Sequence, residues 1–258
     1  MLQRQLAKLF TRGVLSILLP GCFLFAQDQW NWPEKPANLQ VLPKDWQGRR
    51  LIPVMRMFVR GLGVTCTYCH VGVEGRPLTT YDFASDDNPN KNRAREMFRM
   101  LGSINNHLKN VKPSGDQRVT MACYTCHRGR PRPMTLAEEL GEKNRQQGAV
   151  TMIAHYKDLK KNFLQRGAYD FSERSLNNFG YELLGSNDIT TAIQVLTLNA
   201  EQFPDSPNVW DSLAEGYLKA GDLGKAEEYY QKVLTLDPEN ENAAAQLKRI
   251  KDGGKDEK

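Results

Sequence analysis

Cysteine and histidine are scarce: the chain of 258 residues holds five of the first and four of the second. It also lacks an apolar run of the roughly 20 residues a membrane-crossing helix needs. The apolar run 13–26, which carries no charge, is shorter and is interrupted by Pro20 and Gly21. A multi-span membrane protein is excluded, and a composition of 40% hydrophobic and 25% charged residues excludes a wholly disordered chain. Strong charge bias is missing too. A formal net charge of +5, with pI near 8.9, is mild and evenly scattered, and does not mark a nucleic-acid protein.

The amino terminus has the shape of an export leader. Arg4, Lys8 and Arg12 precede the uncharged stretch, so residues 1–26 are expected to be a signal peptide. Cleavage after Ala26 fits this shape. The string Leu19-Pro20-Gly21-Cys22 also admits a lipoprotein signal with Cys22 acylated, which would give the exported protein a lipid anchor.

The remaining four cysteines form two copies of one pattern, Cys66-Thr67-Tyr68-Cys69-His70 and Cys123-Tyr124-Thr125-Cys126-His127. Two thiols at this spacing reach the two vinyl groups of one porphyrin, and the adjacent histidine lies under the iron as its proximal ligand. Three other chemistries use paired cysteines. A redox dithiol of the thioredoxin kind expects a strand-helix-strand context, which neither copy has. A four-thiolate zinc site or structural disulfides would leave both histidines unexplained. The pattern therefore implies two covalently bound haem c groups, with Cys66, Cys69, His70, Cys123, Cys126 and His127 as the attachment residues.

A second axial ligand is sought upstream of each motif, where a methionine thioether would raise the reduction potential. Residues 51–61 read as a short helix carrying Met55 and Met57 and ending at the Gly61-Leu62-Gly63 breaker. Residues 91–108 have apolar side chains at Ala94, Met97, Phe98, Leu101, Ile104 and Leu108, near helical period. Met97 and Met100 are the candidates there. Residue type leaves each pair open, since methionine also fills irregular cores.

The strings Met55 through Leu62-Gly63-Val64-Thr65-Cys66, Ala94-Arg95-Glu96-Met97 with Ile104-Asn105, and Cys123-Tyr124-Thr125-Cys126-His127-Arg128-Gly129 carry a resemblance. The segment from about 38 to 134 resembles the cytochrome c subunit of photosynthetic reaction centres and its relatives in non-phototrophic bacteria. That resemblance implies a haem site built from a helix, a turn and a C-x-x-C-H helix, with the axial methionine on the first helix. By position it implies iron ligation by Met55 with His70 and by Met97 with His127. The reaction-centre subunit resembles two such pairs in tandem, whereas this sequence holds one. It also implies haem attachment outside the cytoplasmic membrane, hence a periplasmic protein. The family's bis-histidine haem has one potential counterpart ligand here, His107, which reads as a solvent-side helix residue. Around the motifs, Lys91, Arg93, Arg95, Arg128, Arg130 and Arg132 read mostly as solvated surface, with haem propionates or an acidic partner as the functional alternative.

The carboxy-terminal half is a different unit. Residues 135–169 are a polar helical bridge weakened at Gly141 and Gly148. Beyond it, Ala192 and Ala226, and likewise Pro204 and Pro238, stand 34 positions apart, the tetratricopeptide period. Trp210, Leu213, Ala214, Tyr217, Ala226, Tyr230 and Pro238 match that family's helix-turn-helix pattern. Leu176, Phe179, Gly180, Leu183, Ala192, Leu196 and Pro204 match it more loosely. Residues 170–250 thus resemble two tetratricopeptide repeats with a closing helix from 241 to 250, and 251–258 read as a disordered tail.

Together these readings predict a mainly α chain, a dihaem c-type cytochrome domain over 38–134 followed by a helical-repeat domain. Its expected work is one-electron transfer with redox partner proteins, the repeats holding a protein or peptide ligand. No nucleic acid and no catalytic residue is expected. A dihaem peroxidase with an open haem site, or a repeat scaffold with sensory or structural haems, are the alternatives.

Overall fold

The computed structural model describes residues 30–112 and 118–253. The expected leader with Cys22 lies outside the described residues, as do residues 254–258. The described chain is helical, and its one β interaction is an isolated bridge between Val71 and Asp82.

Helix α1 spans Leu51–Leu62 and ends where Gly63 takes a left-handed conformation (φ 66°), its N–H bonded to the Val59 carbonyl at 2.8 Å. Only glycine enters that region without a Cβ penalty. The first C-x-x-C-H follows as a 3₁₀ turn, Cys66–Tyr68. Helix α2, Pro89–Leu108, starts with proline at its first position and Asn88 as N-cap, whose side chain accepts from Asn90 N at 3.1 Å. The second motif is itself a short helix, α3, Cys123–His127.

Helix α4 runs Leu136–Phe163 behind a capping box: Thr135 Oγ1 accepts from Glu138 N at 3.2 Å and Glu138 Oε2 from Thr135 N at 2.7 Å. Gly148, at φ 80° and ψ 167°, breaks it into two helices at the position where the sequence weakens it. A 3₁₀ turn, Leu164–Arg166, closes it.

Four helices then form two antiparallel pairs: α5 (Glu173–Gly185) with α6 (Ile189–Gln202), and α7 (Pro207–Lys219) with α8 (Leu223–Leu236). The second helix of each pair is capped alike, Asp188 accepting from Thr191 N and Asp222 from Lys225 N. Ala192 and Ala226 are fully buried, which lets the paired axes approach. At Gly180 an added Cβ would lie 2.5 Å from Leu196. Helix α9, Glu241–Lys251, packs on α8 and covers the stack's end.

The buried apolar clusters all lie in this half. One joins α4, the 168–171 segment, α5 and α6; the other two run from Leu184 to Leu213 and from Ala214 to Leu247. Each fully buried leucine or valine there contributes about 1.5–3 kcal/mol.

Candidate functional site

The two C-x-x-C-H segments are held by the same helix. At the start of α2, Asn88 Nδ2 donates to Thr67 O at 3.2 Å and Asn90 Nδ2 to Tyr68 O at 3.0 Å, gripping the first motif between its cysteines. Near the far end, Asn105 Oδ1 accepts from Met121 N at 2.7 Å and its Nδ2 donates to Met121 O at 2.9 Å, two residues before the second motif. Helix α1 packs on α3: Gly61 O accepts from Gly129 N at 2.9 Å, and a Cβ at Gly61 would fall 2.6 Å from Cys123 Cβ. The rings of Phe58 and Phe98, 5.9 Å apart, join α1 to α2.

Local geometry prepares both histidines. In the first motif, Cys69 N and His70 N both donate to Cys66 O, at 3.2 and 2.9 Å. His70 packs edge-on to Phe83 at 5.0 Å. Burial, with Lys91 and Arg95 as neighbouring positive charges, pushes its pKa down to about 4, against the opposing pull of the Phe83 main chain. The ring is therefore neutral at pH 7, the form that ligates a metal. In the second motif, His127 Nδ1 lies 2.9 Å from the Arg130 carbonyl. A carbonyl only accepts, so Nδ1 carries the proton and Nε2 keeps its lone pair for a ligand. Burial pushes the Cys69 and Cys123 thiols up.

The 82–86 loop over the first motif is locked by charge. Lys91 Nζ donates to the Phe83, Ala84 and Ser85 carbonyls at 3.0, 2.9 and 2.6 Å and pairs with Asp86 at 3.2 Å. Arg95, 7% exposed, pairs with the same carboxylate at 2.8 Å. Arg130, also 7% exposed, lies 3.8 Å over the Tyr169 ring and donates to Met134 O and Ala168 O. The sequence reading placed these three mostly on the solvated surface; the tertiary fold buries two of them and uses Lys91 as an internal clamp. Arg93, Arg128 and Arg132 are exposed as expected, and so is His107.

The methionines lie on the helices that the spacing picked out. Met55 and Met57 are half-buried on α1, while Met97 and Met100 are 47% and 50% exposed on α2. The residues that sequence reasoning missed are the clamping asparagines 88, 90 and 105. Asn105 follows Ile104 in one of the quoted strings, and its two bonds to Met121 give that string a physical reason.

These residues fit a haem. Between Trp30 and Met134, Leu51 is the one hydrophobic side chain that protein buries among the described residues, although α1 and α2 both carry apolar faces. Val59, Met97, Met100 and Tyr124 stand exposed there, apolar surface that a flat apolar group would cover. His70 Nδ1 is buried without a hydrogen-bond partner, and an orphan of this kind marks a site awaiting a further group. No disulfide joins Cys66, Cys69, Cys123 and Cys126, and among the described residues no three or more His, Cys, Asp or Glu side chains gather as a metal cluster. A shared four-thiolate zinc site is thus not formed.

This architecture defines a class: a helical c-type cytochrome unit fused to helical repeats. Comparison with known proteins agrees. The family described as photosynthetic reaction centre cytochrome C subunit matches residues 37–179, and the tetratricopeptide repeat family matches 207–240. The chain belongs to the photosynthetic reaction centre cytochrome C subunit family and carries tetratricopeptide repeats. The family match continues past 134 through α4 and most of α5. A curated relative, cytochrome c-554 of Chloroflexus aurantiacus, is 33% identical over 96 residues, 37% of this chain and 21% of that protein. The chain thus matches about a fifth of that relative's length. Among solved structures, the first TPR of Spaghetti (RPAP3) bound to HSP90 peptide SRMEEVD is 16% identical, with TM-score 0.32, covering 45% of this chain and 88% of that one. PcrH from Pseudomonas aeruginosa is 18% identical, with TM-score 0.31, covering 45% and 89%. The protein is a haem cytochrome with protein-interaction repeats, and its family implies covalently bound haem c.

Proposed function

We propose that the chain is an exported, periplasmic one-electron carrier, or the electron-carrying subunit of a larger redox complex, with no enzymatic reaction of its own. It holds two haems. Cys66 and Cys69 attach the first, ligated by His70 and Met55; Cys123 and Cys126 attach the second, ligated by His127 and Met97. When bound, haem c supplies a reversible one-electron change at iron. The protein's part is to keep the His70 imidazole neutral and the His127 imidazole oriented, to offer apolar faces of α1 and α2 that would cover the porphyrins, and to present the repeats to partner proteins.

The observation that carries this reading is the apolar surface of the helices that lead into or form the C-x-x-C-H segments, where Val59, Met97, Met100 and Tyr124 stand exposed, with His70 held neutral and His127 fixed at Nδ1. Thioethers from Met55 and Met97 would leave the irons no open site for substrate, which favours electron transfer over peroxidase chemistry. The test is production in a host competent in cytochrome maturation. Intact mass should report two haems and the leader's cleavage site together. The reduced protein should be low-spin and bind no carbon monoxide, and replacing Met55 or Met97 by alanine should lower one potential or open one site. Colourless protein with four free thiols would overturn the reading.

A further inference from the structure

A cavity of about 720 Å³ opens where α4 ends, lined by Lys157, Lys160, Lys161 and Arg166 together with Gln202. No carboxylate lines it, and none of these four cations enters an ion pair among the described residues. Lys157, Lys161 and Arg166 are exposed, while Lys160 is steered by a 2.7 Å bond to Gln202. Lysines at the last turn of a helix complement its dipole, which accounts for Lys160 and Lys161. It does not account for Lys157, which repels both at i+3 and i+4; Arg166, beyond the helix end, lies 5.6 Å from the Phe163 ring centroid, which holds its charge at the rim.

The cleft is fastened to the second C-x-x-C-H. Tyr124, between its two cysteines, donates its hydroxyl to the Arg166 carbonyl at 3.2 Å, and Arg128, next after its histidine, donates to Gly167 O at 3.0 Å. Tyr124 and Cys126 are themselves exposed. A positive, carboxylate-free concavity therefore adjoins the exposed edge of the second site. From Lys157 to Arg166 the charges spread over on the order of 13 Å of chain axis, more than one small anion spans.

We propose that this cleft is the docking surface of an acidic electron-transfer protein, whose carboxylates seat against Lys157, Lys161 and Arg166 and bring its redox centre to the second haem site. The inference rests on the electron-transfer reading above and names its partner by charge. One electron passes between the docked proteins, so what one side loses the other gains, and no bond is made or broken. Opposed charge raises the encounter rate and orients the weakly bound pair, and the attraction weakens as salt shortens the Debye length.

The test uses the haem-loaded full chain and a fluorescein-labelled polyglutamate peptide as the carboxylate-rich probe, with binding read by fluorescence polarisation. Two triple variants are compared, K157E/K161E/R166E in the cleft and K232E/K248E/K251E on the repeats, each changing net charge by the same amount. The cleft variant should lose about tenfold or more in affinity while the repeat variant stays within about twofold, as a local site requires. In stopped flow, polyglutamate should slow ferricyanide oxidation of the reduced wild type and leave the cleft variant unaffected. Equal losses in both variants would mean that net charge alone attracts the probe, and would overturn the proposal. So would unchanged binding by a folded cleft variant. A protein whose spectrum fails to cycle between dithionite and ferricyanide would instead sink the electron-transfer reading, whatever the probe does.

Discussion

A single methyl group at Gly61 tests how the second site is built. The glycine lies in the last turn of α1, where a Cβ would stand 2.6 Å from Cys123 Cβ and 3.2 Å from Tyr124 N. Carbon atoms rest at about 3.5–4.0 Å, so α3 must retreat by about 1 Å. That retreat stretches the 2.9 Å bond from Gly129 N to Gly61 O beyond hydrogen-bonding range. Overpacking costs about 1–3 kcal/mol, and the lost bond adds about 1 kcal/mol. Alanine's helix propensity returns at most about 1 kcal/mol. Gly61→Ala should therefore lower stability by about 1–3 kcal/mol. Because the sulfur of Cys123 moves with its Cβ, the fraction carrying a second haem should fall while the first is retained. Gly102→Ala on α2 is the internal control, since a Cβ there meets nothing within 4 Å; it should stabilise by about 0.5–1 kcal/mol. Urea unfolding followed by helix signal, with intact mass for haem content, reads both variants. If Gly61→Ala proves as stable as the wild type with full haem content, the close packing of α1 on α3 is wrong.

Asn105→Ala removes both bonds to Met121 and should cost about 1–2 kcal/mol, with loss of the second haem before the first by mass. Arg130→Met strips the Met134 and Ala168 carbonyls of their donor and the Tyr169 ring of its cation; about 2 kcal/mol should be lost in denaturant melts, with faster amide exchange around 168–171. Tyr156 is buried with an unpartnered hydroxyl and a pKa pushed up to about 12 by burial. Its folded pKa exceeds the unfolded value near 10, so this stability is intact below pH 10 and is lost as pH rises through 12, amounting to about 2–3 kcal/mol by linkage. Tyr156→Phe should gain about 1 kcal/mol at pH 7 and flatten that alkaline decline in thermal unfolding. Wild type and variant declining alike above pH 10 would remove Tyr156 as the cause.

Period and punctuation made much of this protein legible in advance. The expected helices at 51–61 and 91–108 occur as Leu51–Leu62 and Pro89–Leu108, because glycine and proline stop helices through local sterics that need no tertiary context. The 34-residue spacing announced the repeats for a related reason: each copy must bury the same small residue at the same crossing, and Ala192 and Ala226 are both fully buried. The paired cysteines with their histidines were equally plain, since covalent chemistry demands a fixed spacing along the chain.

Local pattern carries no information on which distant groups meet. Lys91, Arg95 and Arg130 look like surface cations in the sequence, yet the fold encloses them among carbonyls from residues 83–85, 38 and 168. That Asn88, Asn90 and Asn105 let one helix grip both motifs, and that α1 seats on the second motif through Gly61, depend on chain crossings many residues apart. Sequence alone determined the helices and the repeats and displayed the two C-x-x-C-H motifs, because each is set by neighbours within a few turns. Which polar groups are buried, what orients each histidine and where the cationic cleft lies were decided by tertiary packing alone, because burial and electrostatics depend on distance in space rather than along the chain.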